Sequence, residues 1–448
     1  MTLKYLQNKK IAMLGLGIEN YALIKFLLKK KIKVKITVCD QRSEKELGDK
    51  FLELNKFKNI SWRLGDGFNK NLFEFDILFR SPGWPIESIN NEKLIINNYL
   101  YSAIRLFSDL CPTKNIIGVT GTKGKGTTSS LIYEILKKGN KRVWLGGNIG
   151  VAPFEFINKI KKNDWVVLEL SSFQLEDFNK SPYIAVVTNF YKEHLAPADP
   201  NNPNYHKTAG DYWDAKANIF KFQKKGDYLI INHQIKIHHQ TSQTPNPPPP
   251  APPEYRRAVI YFTKLELPSK LVGEHNQENI AAAVEVAKIV GIKPEVVARA
   301  VKNFKGLEHR IEFAGEVDGA KYYNDSFATV PEATITALKS FSAPIILLVG
   351  GADKGSDFKT LAKEIKKRVK FVVLLDGQAT PRIKKELLKI NYQEEKMKLV
   401  FNITDAVKAA RSQTKTGDIV LLSPACASFG MFKNYKERGK LFKEYCHS

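Results

Sequence analysis

Hydrophobic positions along the chain fall into two alternating rhythms. Short runs of consecutive or alternating apolar residues are followed by longer stretches with apolar residues three and four apart. These are the periods of strands and helices. Near the start, Ile11-Ala12-Met13-Leu14 reads as a strand and Gly15-Leu16-Gly17 as its turn. Ala22, Leu23, Phe26 and Leu27 then form the inner face of a helix. Val34, Ile36 and Val38 alternate along a second strand that ends at Asp40, and Ile77-Leu78-Phe79 runs into Arg80-Ser81-Pro82-Gly83. This rhythm predicts a parallel sheet with crossover helices, whose ligands bind at the C-terminal strand edge.

The rhythm continues with strands at Asn115-Ile116-Ile117, 143–145, Trp165–Glu169 and 184–189. Between them lies a helix with Leu131, Ile132, Ile135 and Leu136 on one face, stopped by Gly139. A helix is predicted to begin at Tyr212-Trp213-Asp214-Ala215-Lys216, and a long Ala/Val helix to cover 280–290. After a hinge at 304–310 the pattern restarts with Tyr322-Tyr323, Ile345–Val349, 371–375 and Ile419–Leu422. At 448 residues the chain is too long for one ordinary core, so two or three α/β domains are expected.

Composition changes this picture little. The balance of 70 basic against 46 acidic residues gives +24 and invites a nucleic-acid reading. The lysines, however, are spread over helix faces such as Lys29-Lys30-Lys31 and Lys366-Lys367-Arg368, with no aromatic-interleaved stripe. The excess charge suits an anionic nucleotide substrate better. Four scattered cysteines, no signal-peptide pattern and no transmembrane run point to the cytoplasm. Residues 199–204 form a Pro/Asn-rich loop, and Pro247-Pro248-Pro249-Pro250 with Pro252-Pro253 reads as a solvated polyproline tip. His238-His239 beside it has no evident third metal ligand.

The densest chemistry lies in Gly118-Val119-Thr120-Gly121-Thr122-Lys123-Gly124-Lys125-Gly126-Thr127-Thr128. A glycine-rich turn between strand and helix aims backbone N–H groups and the positive helix end at one point, a phosphate cradle. Lys125 would reach the outer phosphates. The motif departs from the P-loop pattern: Gly126 holds the usual Ser/Thr position, Thr127 comes one later, and Val119 replaces the first glycine. Glu169 ends a buried strand where such proteins hold Mg²⁺, with Ser171, Ser172 and Gln174 beside it. His194, read alone, is a packing or surface histidine. Asp40, at its strand end, is placed to accept hydrogen bonds from a sugar or base. The first turn lacks the third glycine of the dinucleotide fingerprint, since Asn20 stands there.

Taken in order, these turns resemble the Mur ligases of peptidoglycan precursor synthesis, and among them the branch that adds D-glutamate. The resemblance spans nearly the whole chain. It rests on Gly121-Thr122-Lys123-Gly124-Lys125, Gly146-Gly147-Asn148-Ile149-Gly150, Leu168-Glu169-Leu170-Ser171-Ser172-Phe173-Gln174, His275-Asn276 with Asn279, and His309-Arg310. It continues through Asn324-Asp325-Ser326, Gly350-Gly351 with Lys354, and Leu421-Leu422-Ser423-Pro424-Ala425-Cys426-Ala427-Ser428.

The resemblance implies three domains: a Rossmann-like UDP-binding sheet (1–105), a central P-loop-type ATPase (106–308) and a C-terminal Rossmann-like domain that binds the amino acid (309–448). It implies ligation of D-glutamate to UDP-N-acetylmuramoyl-L-alanine through an acyl phosphate, with ATP and Mg²⁺. By the same resemblance Gly121, Thr122, Lys123, Gly124, Lys125, Gly126, Thr127, Asn279, Arg310 and Asp325 serve ATP. Thr127, Glu169, His194 and Lys216 serve the metal, the last as a carbamylated lysine; by itself Lys216 reads as an exposed helical lysine. Lys125, Asn148, His194 and Lys216 form the catalytic set. Ile18, Glu19, Asp40, Ser81, Gly83, Asn148, Ser171 and Gln174 match the UDP-substrate region, and Thr329, Lys354, Ser428, Phe429 and Tyr435 the amino-acid cradle. The implied protein is a cytoplasmic monomer acting on small molecules, without nucleic-acid or membrane partners.

Phe327 stands where a lysine is expected, Gly430 where an aspartate is usual, and Lys192-Glu193 replaces an acidic pair, which bears on amino-acid preference. The Gly-Lys-Gly-Thr order also resembles folylpolyglutamate synthases, which lack the N-terminal nucleotide domain that 1–105 reads as. A nucleic-acid-binding P-loop ATPase would explain the charge but none of the later motifs.

Overall fold

The computed structural model describes residues 1–86, 100–191, 193–195, 204–235, 257–353 and 355–446. The polyproline run, His238-His239, Lys192, most of the 199–204 loop and Lys354 lie outside the described residues.

Three sheets follow one another along the chain. The first comprises β1 (Lys10–Leu14), β2 (Lys35–Asp40), β3 (Ile60–Leu64), β4 (Ile77–Arg80) and β5 (Leu100–Ser102), all parallel, in the order β3-β2-β1-β4-β5. The second comprises β6 (Ile116–Thr120), β7 (Val143–Gly147), β8 (Trp165–Glu169), β9 (Ile184–Val187), β10 (Tyr228–Asn232) and β11 (Ala258–Phe262). It is also parallel, in the order β11-β10-β9-β6-β8-β7. The third comprises β12 (Glu312–Val317), β13 (Ala320–Asn324), β14 (Ile345–Val349), β15 (Val369–Leu375), β16 (Met397–Val400) and β17 (Ile419–Leu422). Its order is β12-β13-β17-β14-β15-β16, with β12 antiparallel to β13 and the rest parallel. The α/β class read from the sequence is what the chain forms.

By packing, the chain divides into two compact units. One is Met1–Leu265 with Glu278–Ala300 and carries the first two sheets; the other is Glu266–Gln277 with Val301–Ser448 and carries the third.

Central strands are apolar on both faces because helices cover both. Every residue of β6, β14 and β17 is buried. Six strands escaped the sequence reading: β3, β5, β10, β11, β12 and β16. All but β10 are at sheet edges, and in β3, β11, β12 and β16 exposed positions break up the apolar run. β12, for example, has no fully buried residue. Helix starts also moved. The helix expected from Tyr212 begins at Ala209, because Thr208 and Asp211 close a capping box. The helix expected at 280–290 spans His275–Val290, so His275, Asn276 and Asn279 are helical rather than part of a preceding turn. Among the described residues no helix is long and apolar enough to cross a membrane.

Candidate active site

The C-terminal ends of β6, β7, β8 and β9 converge on the glycine-rich loop. The helix Lys125–Lys138 starts directly after it, with Gly126 buried in its first turn and Thr127 half-buried. The loop is held by three bonds to the Thr188-Asn189 segment that follows β9. Thr122 N–H donates to the Asn189 carbonyl (3.1 Å) and Lys123 N–H to Asn189 Oδ1 (2.8 Å), while Thr188 Oγ1 donates to the Lys123 carbonyl (2.7 Å). Two glycines are required by contact as well as conformation. A Cβ on Gly121 (φ 140°) would sit 2.0 Å from Thr188 Oγ1, and one on Gly124 (φ 81°) 2.2 Å from Asn279 Oδ1. Asn279 is buried and accepts from Thr128 Oγ1 at 3.2 Å. The residue expected at adenine thus also braces the phosphate loop. Lys125 Nζ donates to the Gly121 (3.0 Å) and Thr122 (2.9 Å) carbonyls, curling over the loop it would serve.

Lys216 is the largest surprise against the plain reading of the sequence. It is 1% exposed, not a surface lysine. Helix Ala209–Lys221 carries it inward, and its Nζ donates to the Gly121 carbonyl at 2.8 Å and lies 4.5 Å from the centre of the Tyr212 ring. Burial, with the positive Lys125 nearby, pushes its pKa well below the ordinary lysine value, against the opposing pull of Glu193 and Glu169. Burial thus favours the uncharged form, which is the nucleophilic form of a lysine. Tyr212 ties the same helix to the loop, its hydroxyl donating to Thr122 Oγ1 at 3.2 Å.

Glu169 is buried at the end of β8 and accepts from Asn148 Nδ2 at 2.9 Å; Asn148 N–H donates to the Glu169 carbonyl at the same distance. His194 adopts the left-handed backbone region (φ 59°), with its ring against Phe173 (5.3 Å) and Tyr212 (5.7 Å). Burial lowers its pKa, which favours the neutral imidazole that can coordinate a metal. Glu169 and Thr127 offer the hard oxygen ligands that Mg²⁺ prefers, the remaining positions being ones that water and substrate phosphates commonly fill.

At the first sheet, Asn20 stands where the fingerprint glycine was missing. Its Nδ2 donates to the Gly15 (2.9 Å) and Phe79 (3.1 Å) carbonyls, clamping the crevice between β1 and β4. Asp40 is engaged within the loop: Oδ2 accepts from Leu16 N–H and Arg42 Nη2, both 2.7 Å, and Oδ1 from Arg42 N–H and Nε. These bonds outweigh burial and hold its pKa below the usual carboxylate value. Ile18 is exposed at the start of its helix, while Ser81 and Gly83 lie in the turn after β4, Ser81 N–H donating to the Leu14 carbonyl. Glu19 is buried against Gln174 Nε2, with burial raising its pKa to about 7; Gln174 in turn closes a capping box with Ser171. Arg80, 1% exposed, donates to Glu176 (2.8 Å), Asp177 (3.3 Å) and the Phe173 carbonyl (2.7 Å).

In the second unit, Asp325 is buried and its pKa raised by that burial to about 7; it accepts from Ser423 Oγ (2.7 Å) and Ile311 N–H (3.2 Å). Arg310 lies over the Phe327 ring at 4.0 Å, and the Phe327 edge meets Tyr435 at 4.9 Å and 88°. The aromatic ring in the expected lysine's place therefore carries a cation on its face. Thr329 is half-buried, Ser428 buried, Phe429 exposed, and Gly430 has φ 100° with open space around it. Glu308, His309 and Glu312 have metal-like spacing, but Lys443 Nζ already pairs with both carboxylates at 2.8 and 2.9 Å.

The sequence reading missed Asn20, Arg80, His206 and Arg438. The last is buried in helix Tyr435–Cys446 and joins Ser326 to the Cys426 carbonyl. An isolated arginine or histidine in an amphipathic pattern carries no such signal. His206 offered a faint one, two residues before the Thr208 cap.

Family comparisons cover most of the chain. Residues 9–97 match the Mur ligase MurD-like N-terminal domain, 119–248 the Mur ligase middle domain, and 309–426 the Mur ligase glutamate ligase domain. The chain is 37% identical over 463 residues to the UDP-N-acetylmuramoylalanine–D-glutamate ligase of Clostridium tetani, covering 98% of this chain and 97% of that one. It is 38% identical over 479 residues to the enzyme of the same name from Acetivibrio thermocellus, covering 99% and 97%. Among solved structures it superposes on the UDP-N-acetylmuramate-alanine ligase of Thermotoga maritima with a TM-score of 0.56 and 17% identity, over 98% and 99% of the two chains, a likeness of fold.

Proposed function

The chain belongs to the Mur ligase family, and on that premise we propose that it joins D-glutamate to UDP-N-acetylmuramoyl-L-alanine, converting ATP to ADP and phosphate. The substrate carboxylate attacks the γ-phosphorus as the bond to ADP breaks. The amine of D-glutamate then attacks the acyl carbon and phosphate leaves. Two anions must meet, so positioning and cationic clamping do most of the work. The observation that carries the proposal is Lys216: a fully buried amine, its pKa depressed by burial, directed at the Gly121 carbonyl of the phosphate loop.

In this reading the loop 121–127 with Lys125 binds the ATP phosphates. By the resemblance, Asn279, Arg310 and Asp325 also serve ATP. Thr127, Glu169, His194 and carbamylated Lys216 hold Mg²⁺, which when bound neutralises phosphate charge. Asn148 keeps Glu169 oriented through its 2.9 Å bond and contacts the UDP substrate. Ile18, Glu19, Asp40, Ser81, Gly83, Ser171 and Gln174 serve the same substrate. Thr329, Lys354, Ser428, Phe429 and Tyr435 bind D-glutamate. The domains are 1–105, 106–308 and 309–448, each built on one of the three sheets. The enzyme acts in the cytoplasm as a monomer.

The test is phosphate release with Mg²⁺-ATP and UDP-N-acetylmuramoyl-L-alanine, offering each amino acid in turn. Release with D-glutamate is expected; turnover only with another amine would overturn the specificity and leave the chemistry standing. That second outcome is the alternative Phe327 favours, because an aromatic face replaces an ammonium among the proposed amino-acid residues.

A further inference from the structure

His194 has a difficult backbone. Its φ of 59° lies in the left-handed region, which is strained for a non-glycine residue, so neighbouring contacts must hold it there. Among the described residues, His206 bonds to its main chain and shares its aromatic neighbours. Its N–H donates to the His194 carbonyl at 2.9 Å. Its ring is buried and stacks on Phe173 at 4.8 Å and 4°. The ring also lies 5.2 Å from Tyr212. The two imidazoles therefore share the same two aromatic neighbours, Phe173 and Tyr212. His206 Nε2 is 2.9 Å from Ser172 Oγ, three residues past Glu169, and Nδ1 is 3.7 Å from Glu176. Tyr212 passes the connection on to Thr122 in the phosphate loop.

We propose that His206 is a positioning residue that fixes where His194 presents its imidazole, relative to Glu169 and to the helix bearing Lys216. The inference rests on the reading of Glu169, His194 and Lys216 as metal ligands. Any buried histidine must pair its ring nitrogens, so it is the location of the partners that points to a role here. Here one ring nitrogen faces the segment following Glu169, while the main chain holds His194 itself. His206 touches no substrate and carries no step; it acts through His194.

The test compares Mn²⁺ binding, read by electron paramagnetic resonance on the full-length protein with a non-hydrolysable ATP analogue, among wild type, His194→Ala, His206→Ala and His206→Phe. His206→Ala should weaken Mn²⁺ about ten-fold or more, the scale of losing a residue that orients a ligand, and approach His194→Ala. His206→Phe, which keeps the stack on Phe173, should recover part of the loss. KM for D-glutamate should stay at its wild-type value in both. Wild-type Mn²⁺ affinity in a folded His206→Ala protein, judged by circular dichroism, overturns the proposal, as does a wild type that binds no Mn²⁺. Should His206→Ala not fold, Ser172→Ala removes only the Nε2 partner; there a weakened affinity supports the proposal and an unchanged one overturns it. Failure of the assigned reaction is seen separately, as absence of phosphate release by wild type, while the Mn²⁺ comparison still decides the role of His206.

Discussion

Gly124→Ala puts the geometry of the phosphate loop to a quantitative test. With φ at 81°, an added Cβ carries the left-handed penalty of about 1–2 kcal/mol. The Cβ also falls 2.2 Å from Asn279 Oδ1, 3.1 Å from its Cγ and 3.3 Å from its Nδ2, so the whole amide must move. Asn279 is buried, and its displacement breaks the 3.2 Å bond from Thr128 and leaves a polar group unsatisfied, at about 1–3 kcal/mol. Together the substitution should cost about 3 kcal/mol locally. Asn279→Ala alone loses the bond but leaves the loop relaxed, for about 1–2 kcal/mol. In the double variant the clash disappears and only the backbone strain and the lost bond remain. It should therefore be at least about 1 kcal/mol less destabilised than the sum of the singles. Amide hydrogen exchange across helix Lys125–Lys138 reads this local opening energy without requiring the two units to unfold together. Energies that add to within about 0.5 kcal/mol would refute the contact between Gly124 and Asn279 as the reason for glycine there.

Lys216→Ala should lower phosphate release by about 100-fold or more, and bicarbonate or a short carboxylic acid should restore part of it by replacing the missing oxygen ligand; a variant with full rate removes the carbamate from the scheme. Glu19 has a folded pKa of about 7 against an ordinary 4.5, raised by burial. Its protonated form therefore contributes stability that is complete below pH 4.5 and lost as pH rises through 7. Glu19→Gln cannot ionise, so its melting temperature should gain on wild type between pH 5 and 8, and parallel curves would contradict that. Arg80→Met leaves Glu176 and Asp177 buried without their cation and should cost about 3–5 kcal/mol in the thermal melt.

Much of this protein was determined by its local sequence. Central strands such as Ile345–Val349 are buried on both faces, so their apolar runs stand out without reference to anything else. The phosphate loop was legible for the same reason: a turn, its glycines and the helix behind it are neighbours along the chain. Most edge strands were not: what makes β12 a strand, for example, is its antiparallel pairing with β13, while its own residues stay half exposed. The candidate site divides the same way. Lys125 and Glu169 announce themselves by position in their elements. Lys216 does not, since on its helix it differs from the chain's many other lysines only in which way that helix is turned. Burial beside Gly121 then pushes its pKa well below the ordinary lysine value. Asn20, Arg80 and His206 draw their roles from partners outside their own elements: the carbonyls of Gly15 and Phe79, the acids Glu176 and Asp177, the carbonyl of His194. A side chain's chemistry is written in the sequence, but its dielectric surroundings and its partners exist only once the chain is folded, and those decide which lysine is buried against the phosphate loop and which histidine is seated beside another.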